Sequence, residues 1–148
     1  MKISDILSQN TILMSLKAGT KTQLLEEMAA RLARHENIDF QAVVDAVVER
    51  EKLGSTGYGN GFAVPHARLS GAKRVKAYFT KLSAPIDFDA IDGNGVDLFF
   101  MLVSPENSGA DHLEALATLS KVMQNKTLCA KLRKATTKDE IYKILTHC

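Results

Sequence analysis

Gly54-Ser55-Thr56-Gly57-Tyr58-Gly59-Asn60-Gly61-Phe62-Ala63-Val64-Pro65-His66-Ala67-Arg68 places four glycines within eight residues and then runs straight into a histidine. No other part of the chain uses residues this way. Glycine gives up side-chain packing and backbone entropy in exchange for unusual dihedrals and close backbone approach. A loop so rich in it, ending on one histidine, reads as a built site. Its flanks set the context. Glu49-Arg50-Glu51-Lys52 closes a helix before it, and Phe62-Ala63-Val64 reads as a short strand after it, delivering Pro65-His66.

That order excludes the common nucleotide loops. A dinucleotide fingerprint needs a strand before its glycines and a helix after them, the reverse of this arrangement. A Walker loop ends in Gly-Lys-Ser/Thr, which is absent. No His-Glu-x-x-His, Cys-x-x-Cys or Gly-x-Ser-x-Gly pattern occurs, so neither a metal site nor a serine elbow is expected. Anion chemistry around His66 remains. Glycine-rich backbone can aim several amides at one point, and the Ser55 and Thr56 hydroxyls add donors. Neutral imidazole offers one lone pair near working pH, provided the other ring nitrogen donates to a carbonyl or carboxylate. The competing reading of His66 is a structural histidine behind a tight proline turn.

Outward from the loop, the chain alternates helices and strands. Thr20-Lys21-Thr22-Gln23 fits a capping box opening a helix with Leu24, Leu25, Met28 and Leu32 on one stripe. His35 reads as a solvated residue at its end. Asp39 caps a second helix striped by Phe40, Val43, Val44 and Val47. Arg50, in its last turn, reads either as a surface residue paired with a neighbouring glutamate or as an anion ligand over the site. Ile12 to Leu16 reads as a brief strand or, alternatively, as loop, and Val75 to Thr80 reads as a strand broken at Ala84-Pro85. Asp87, Asp89 and Asp92 read as solvated edge residues, lacking calcium-loop spacing. Val96 to Val103 is apolar except for Asp97, as suits a strand buried on both faces, so helices should cover both sides of the sheet. Ser108 should cap a further helix with Leu113, Leu116, Ala117, Ser120 and Met123 buried. His112 then lies in its first turn, either half-buried and locally bonded or beside an anion site. Leu128 and Leu132 mark a short helix, and Thr137-Lys138-Asp139-Glu140 caps a last one.

Composition narrows the class. The length of 148 residues fits one domain spanning 1–148. The formal charge of +2 does not argue for nucleic acid. No apolar run approaches the roughly 20 residues of a membrane span, and Met1 to Asp5 has no signal-peptide character. Cys129 and Cys148 lack metal-like spacing. A cytoplasmic protein with reduced thiols, no cofactor and no metal is expected.

The run from Arg50 to His66 resembles the active-site signature of enzyme IIA domains of the fructose/mannitol class, from the phosphoenolpyruvate-dependent sugar phosphotransferase system. Asp87-Phe88-Asp89-Ala90 before the apolar strand, and the helix starting near His112-Leu113, extend the resemblance over essentially the whole chain. The Ile3-Ser4-Asp5-Ile6-Leu7 opening is similar to the nitrogen-related branch. The resemblance implies a single α/β domain with a mixed sheet flanked by helices on both faces. It implies that His66 accepts a phosphoryl group, as a tele-phosphohistidine, from a histidine phosphocarrier protein of the HPr type or its nitrogen-branch relative. His112 and Arg50 would line the site, and Gly54, Ser55, Thr56, Gly57, Gly59, Asn60 and Gly61 would form its phosphoryl-binding loop. The acceptors implied are regulatory target proteins or, alternatively, a IIB domain of a sugar permease. A non-catalytic anion-binding module is the alternative of another class. Ala67-Arg68 departs from the family's common glycine-lysine, which bears on the rim that partners touch.

Overall fold

The computed structural model describes residues 1–147, so the sequence reading of Cys148 lies outside the described residues. Eleven-residue and ten-residue strands form the middle of the sheet: β5 (Lys76–Ile86) and β6 (Val96–Pro105), paired antiparallel. The short β1 (Ile12–Leu13) runs parallel to the outer side of β5. On the other side of β6 lie β3 (Phe62–Ala63) and β4 (His66–Leu69), both parallel to it, and β2 (Gly57–Gly59) pairs antiparallel with β3. The sheet is therefore mixed. Among the described residues, five α-helices cover it: α1 (Lys21–Glu36), α2 (Phe40–Lys52), α3 (Ala110–Gln124), α4 (Lys126–Lys134) and α5 (Lys138–Thr146).

From Leu98 on, the apolar run of β6 divides by strand parity. Phe99, Met101 and Val103 enter the core shared with α1 and α2, whereas Leu98, Phe100 and Leu102 enter the core shared with α3, α4 and α5. Val96, which pairs with Ile86 beyond the register shift, joins the α1/α2 core. Both faces are thus covered, as the continuous apolar character requires. On β4, Ala67 and Leu69 point into the α1/α2 core. His66 and Arg68 therefore face the α3 layer.

β3 and β4 are in effect one strand. Phe62 partners Leu98 and His66 partners Leu102, so the register on β6 does not slip between them. Pro65 cannot donate to the ladder, but its carbonyl still accepts from the Leu102 amide at 2.9 Å. The proline interrupts the pairing without moving the histidine off its row.

Several local expectations need correction. Pro85 does not end β5. It sits where the β5–β6 register shifts between Lys81 and Ile86, an irregularity of the kind that tolerates a residue with no amide donor. At the start of α1, Thr20 accepts from the Gln23 amide at 3.1 Å, but the Gln23 side chain accepts from the Gly19 amide, one residue before the cap. Gly109, not Ser108, is the cap of α3. The buried row of α3 is His112, Ala115, Leu119, Val122 and Met123, while Leu113 is 63% exposed. Leu113, Leu116, Ala117 and Ser120 carry the same helical spacing, so periodicity alone allowed either row. His35 is not merely solvated. Its Nδ1 lies 2.6 Å from the hydroxyl of buried Tyr78, which also donates to Glu36.

Candidate active site

The glycine stretch folds as a hairpin rather than an open loop. Asn60 and Gly61 have φ of 58° and 72°. Positive φ at both central residues is the type I′ turn that Asn-Gly favours. It joins β2 to β3 with Gly59 opposite Phe62. Gly57 is needed for space, since a Cβ there would lie 3.0 Å from the Cα and Cβ of Ala90. The contacts of the tip run to Met123 and Arg133, away from the histidine: Asn60 Nδ2 donates to the Met123 carbonyl at 3.2 Å, and Arg133 Nη2 donates to the Asn60 carbonyl at 2.8 Å.

Several of the donors expected to cradle an anion are engaged internally. The Gly54 amide donates to the Glu51 carbonyl, the Thr56 amide to Glu51 Oε1 at 3.2 Å, and the Gly57 amide to Ser55 Oγ at 3.0 Å. Ser55 Oγ donates to the Phe88 carbonyl at 2.7 Å, and Thr56 Oγ1 donates to Glu51 Oε2. The picture of a row of free donors at Gly54, Ser55, Thr56 and Gly57 is therefore corrected. This segment is a brace organised on a buried carboxylate that the sequence reading missed. Glu51 is 7% exposed and also meets Lys21 Nζ at 3.0 Å. Within a charged run its burial was hidden. The available signal was Thr56 five residues on, a hydroxyl able to reach back to the helix end.

His66 opens β4 at the rim of the sheet and is 8% exposed. Its Nδ1 lies 2.8 Å from the Val64 carbonyl. A carbonyl only accepts, so Nδ1 carries the proton and Nε2 holds the lone pair. Arg50 Nε donates to that Nε2 at 3.1 Å, while its Nη1 donates to the Gly54 carbonyl at 2.9 Å. Burial lowers the pKa of His66 below its ordinary value. The Val64 carbonyl works against this, Arg50 adds to it, and Glu51 opposes. The imidazole is neutral at pH 7 with a fixed tautomer.

His112 completes the group from the opposite layer. It is buried, its Nδ1 lies 2.7 Å from Ser104 Oγ at the end of β6, and its ring centroid is 5.5 Å from that of His66. Ser104 reads in sequence only as the end of an apolar run, yet it orients this ring. Arg50 from α2 and His112 from α3 thus meet His66 at the sheet edge. Tyr58, Gly59, Asn60 and Gly61 belong to the hairpin and not to this triad.

Burial pushes His112 down to about 4, with Arg68 and His66 adding to the shift. Its unfolded value is about 6.5. Between those values the unfolded chain binds the proton and the folded one does not. The associated stability is present above pH 6.5 and is lost as pH falls toward 4, with a ceiling of about 3 kcal/mol. His66 titrates with the same sign. Urea titrations at pH 7 and pH 4.5 should therefore show a larger acid loss for wild type than for His112→Gln. Equal losses would mean that His112 is not held neutral by the fold.

Asp87, Asp89 and Asp92 are exposed, as expected. Among the described residues, no three His, Cys, Asp or Glu side chains converge as metal ligands, and no helix is long and apolar enough to cross a membrane.

A family model described as "Phosphoenolpyruvate-dependent sugar phosphotransferase system, EIIA 2" matches residues 5–148. The chain belongs to this EIIA 2 family. Membership makes it a phosphoryl-transfer component of that system. The chain is similar to the nitrogen regulatory protein of Bradyrhizobium diazoefficiens, with 39% identity over 145 residues, covering 98% of this chain and 95% of the relative. The crystal structure of nitrogen regulatory protein IIA-Ntr from Neisseria meningitidis superposes with a TM-score of 0.91 at 37% identity, covering 97% of this chain and 99% of that one. Enzyme IIA mannitol of Escherichia coli, in its complex with phosphorylated enzyme IIB mannitol, shares the fold with a TM-score of 0.79 at 21% identity, covering 96% and 98%. Within the EIIA 2 family the chain thus resembles the nitrogen regulatory proteins, and its α/β fold is the one shared by that branch and the mannitol enzyme.

Proposed function

We propose that the chain acts as one cytoplasmic domain in which His66 Nε2 accepts a phosphoryl group from the phosphohistidine of a small HPr-type or nitrogen-branch carrier protein, and that partner proteins read its phosphorylation state. The observation that carries this is the fixed tautomer. The Val64 carbonyl holds the proton on Nδ1, leaving the Nε2 lone pair facing the Arg50 guanidinium. In the transfer, the donor's phosphoimidazole is protonated on its other ring nitrogen. Its P–N bond breaks, and the electron pair stays with the donor, which leaves as neutral imidazole. The new bond forms between phosphorus and His66 Nε2, while the proton stays on Nδ1, donated to the Val64 carbonyl. Arg50 gives up its bond to Nε2 and turns to the phosphoryl oxygens, where a charge-assisted contact matches the charge spread over them. His112, neutral and held by Ser104, supplies a second contact on the opposite side.

The likeness to nitrogen regulatory proteins supports regulation as the role of this step. Phosphorylation adds about −1.5 to −2 charges, by analogy with other phospho-residues, at a rim where a partner meets them. The test is incubation with a phosphorylated histidine carrier protein, followed by NMR assignment of the modified ring nitrogen. Label on His66 Nε2 is expected. Label on Nδ1 or on another residue would overturn the assignment. Prompt discharge by a purified IIB domain would favour sugar transport over regulation. Tight phosphate binding with no covalent label would favour an anion-binding module.

A further inference from the structure

We propose that Arg68 is a second cationic arm of the phosphoryl site, closing on the transferred group from the α3 side while Arg50 holds it from the α2 side. This rests on the reading of His66 as the acceptor. On β4, residues two apart share a face and lie about 6.5 Å apart. Ala67 and Leu69 enter the α1/α2 core, so Arg68 stands beside His66 on the opposite face. In register, Arg68 partners Ser104, the residue whose hydroxyl holds His112. Arg68 therefore borders both histidines.

Its engagement is weak where that of the other arginines near the hairpin is strong. Arg133 is clamped on Asp97 by its Nε and Nη2 at 2.9 to 3.0 Å. Arg50 is fixed on His66 and Gly54. Arg68 is exposed, pairs with no carboxylate among the described residues, and reaches only Ser108 Oγ, at 3.4 Å. A guanidinium so placed is free to reorient. Its positive charge is felt at the site, since it contributes to the depression of the His112 pKa. A phosphoryl group on Nε2 brings about two negative charges to a site where one arginine already stands. A second guanidinium neutralises the remainder in a transition state governed by positioning and charge.

The measurement is the rate of phosphoryl transfer from a phosphorylated HPr-type carrier protein to wild type, R68Q, R68K, H66A and R74Q, the last removing an exposed arginine outside the site. Losing one charge-assisted contact should slow R68Q by about 10- to 100-fold. R68K should recover part of the rate, and R74Q should match wild type. Phosphorus NMR titration of the phosphorylated protein adds a readout that a structural role would not move: the phosphoryl pKa should rise in R68Q. R68Q matching R74Q in rate and titration would overturn the proposal while leaving His66 as acceptor. A slowed R68Q with an unchanged phosphoryl titration would place Arg68 against the carrier protein and also overturn it. Full labelling of H66A would instead remove the acceptor reading on which the proposal rests.

Discussion

His66→Ala is expected to lose labelling by a phosphorylated carrier protein, by at least about a thousandfold, while the fold persists. In the proposed transfer the side chain supplies the attacking lone pair, and no neighbour is placed to replace it. His112 is the nearest imidazole, with ring centroids 5.5 Å apart, but its Nδ1 is committed to Ser104 and its burial is deep. The structural cost is modest. Truncation leaves the buried Val64 carbonyl without its 2.8 Å donor, worth about 1–3 kcal/mol. Thermal melting should find a cooperative transition at somewhat lower temperature. Label appearing on His112 in the variant would show that the two histidines are interchangeable, contrary to the fixed geometry.

Glu51→Ala should be the most destabilising single change near the site, by about 3–5 kcal/mol. The carboxylate collects the Thr56 amide, the Thr56 hydroxyl and Lys21 Nζ. Removing it orphans two donors of a fully buried residue and leaves an ammonium beside the Phe88 ring. A loss of that size is a large share of the roughly 5–15 kcal/mol that holds a domain together. Glu51→Gln keeps the volume and one carbonyl acceptor, so it should fall between the two. Urea midpoints measure this directly. If Glu51→Ala lies within about 1 kcal/mol of wild type, the network is incidental and the hairpin is held by packing alone.

How far sequence carried the structure depends on whether the deciding contact is local. The caps at Thr20, Asp39 and Thr137 each bond the amide three residues on, as their spacing implies. The apolar Val96 to Val103 stretch foretold a strand with both faces covered. The placement of Arg50, left open by spacing, is beside His66, with its Nε donating to the ring Nε2. What escaped notice depends on residues far apart in the chain or on choices between equivalent patterns. The buried row of α3 competes with a second row of identical spacing, and only packing against β6 selects the one that turns His112 inward. Tyr78 beside His35 joins residues in β5 and α1. Asn60-Gly61 did carry a local hairpin signal, but the density of glycines drew the reading toward an open loop. Burial of Glu51 was invisible because the run around it is mostly exposed.

The unbroken row from Phe62 to Leu69 along β6 has a consequence for the order of events as the chain folds. Parallel neighbours cannot be joined by a tight turn, and the segment between these two includes all of β5. His66 is bonded by Arg50 from upstream and lies against His112 from downstream of that whole excursion. No fragment ending before α3 carries the complete triad, and long-range parallel pairing is slow to form. A chain still emerging from the ribosome therefore has its histidine but not its surroundings, and under the proposed function competence to receive the phosphoryl group arrives with the last layer.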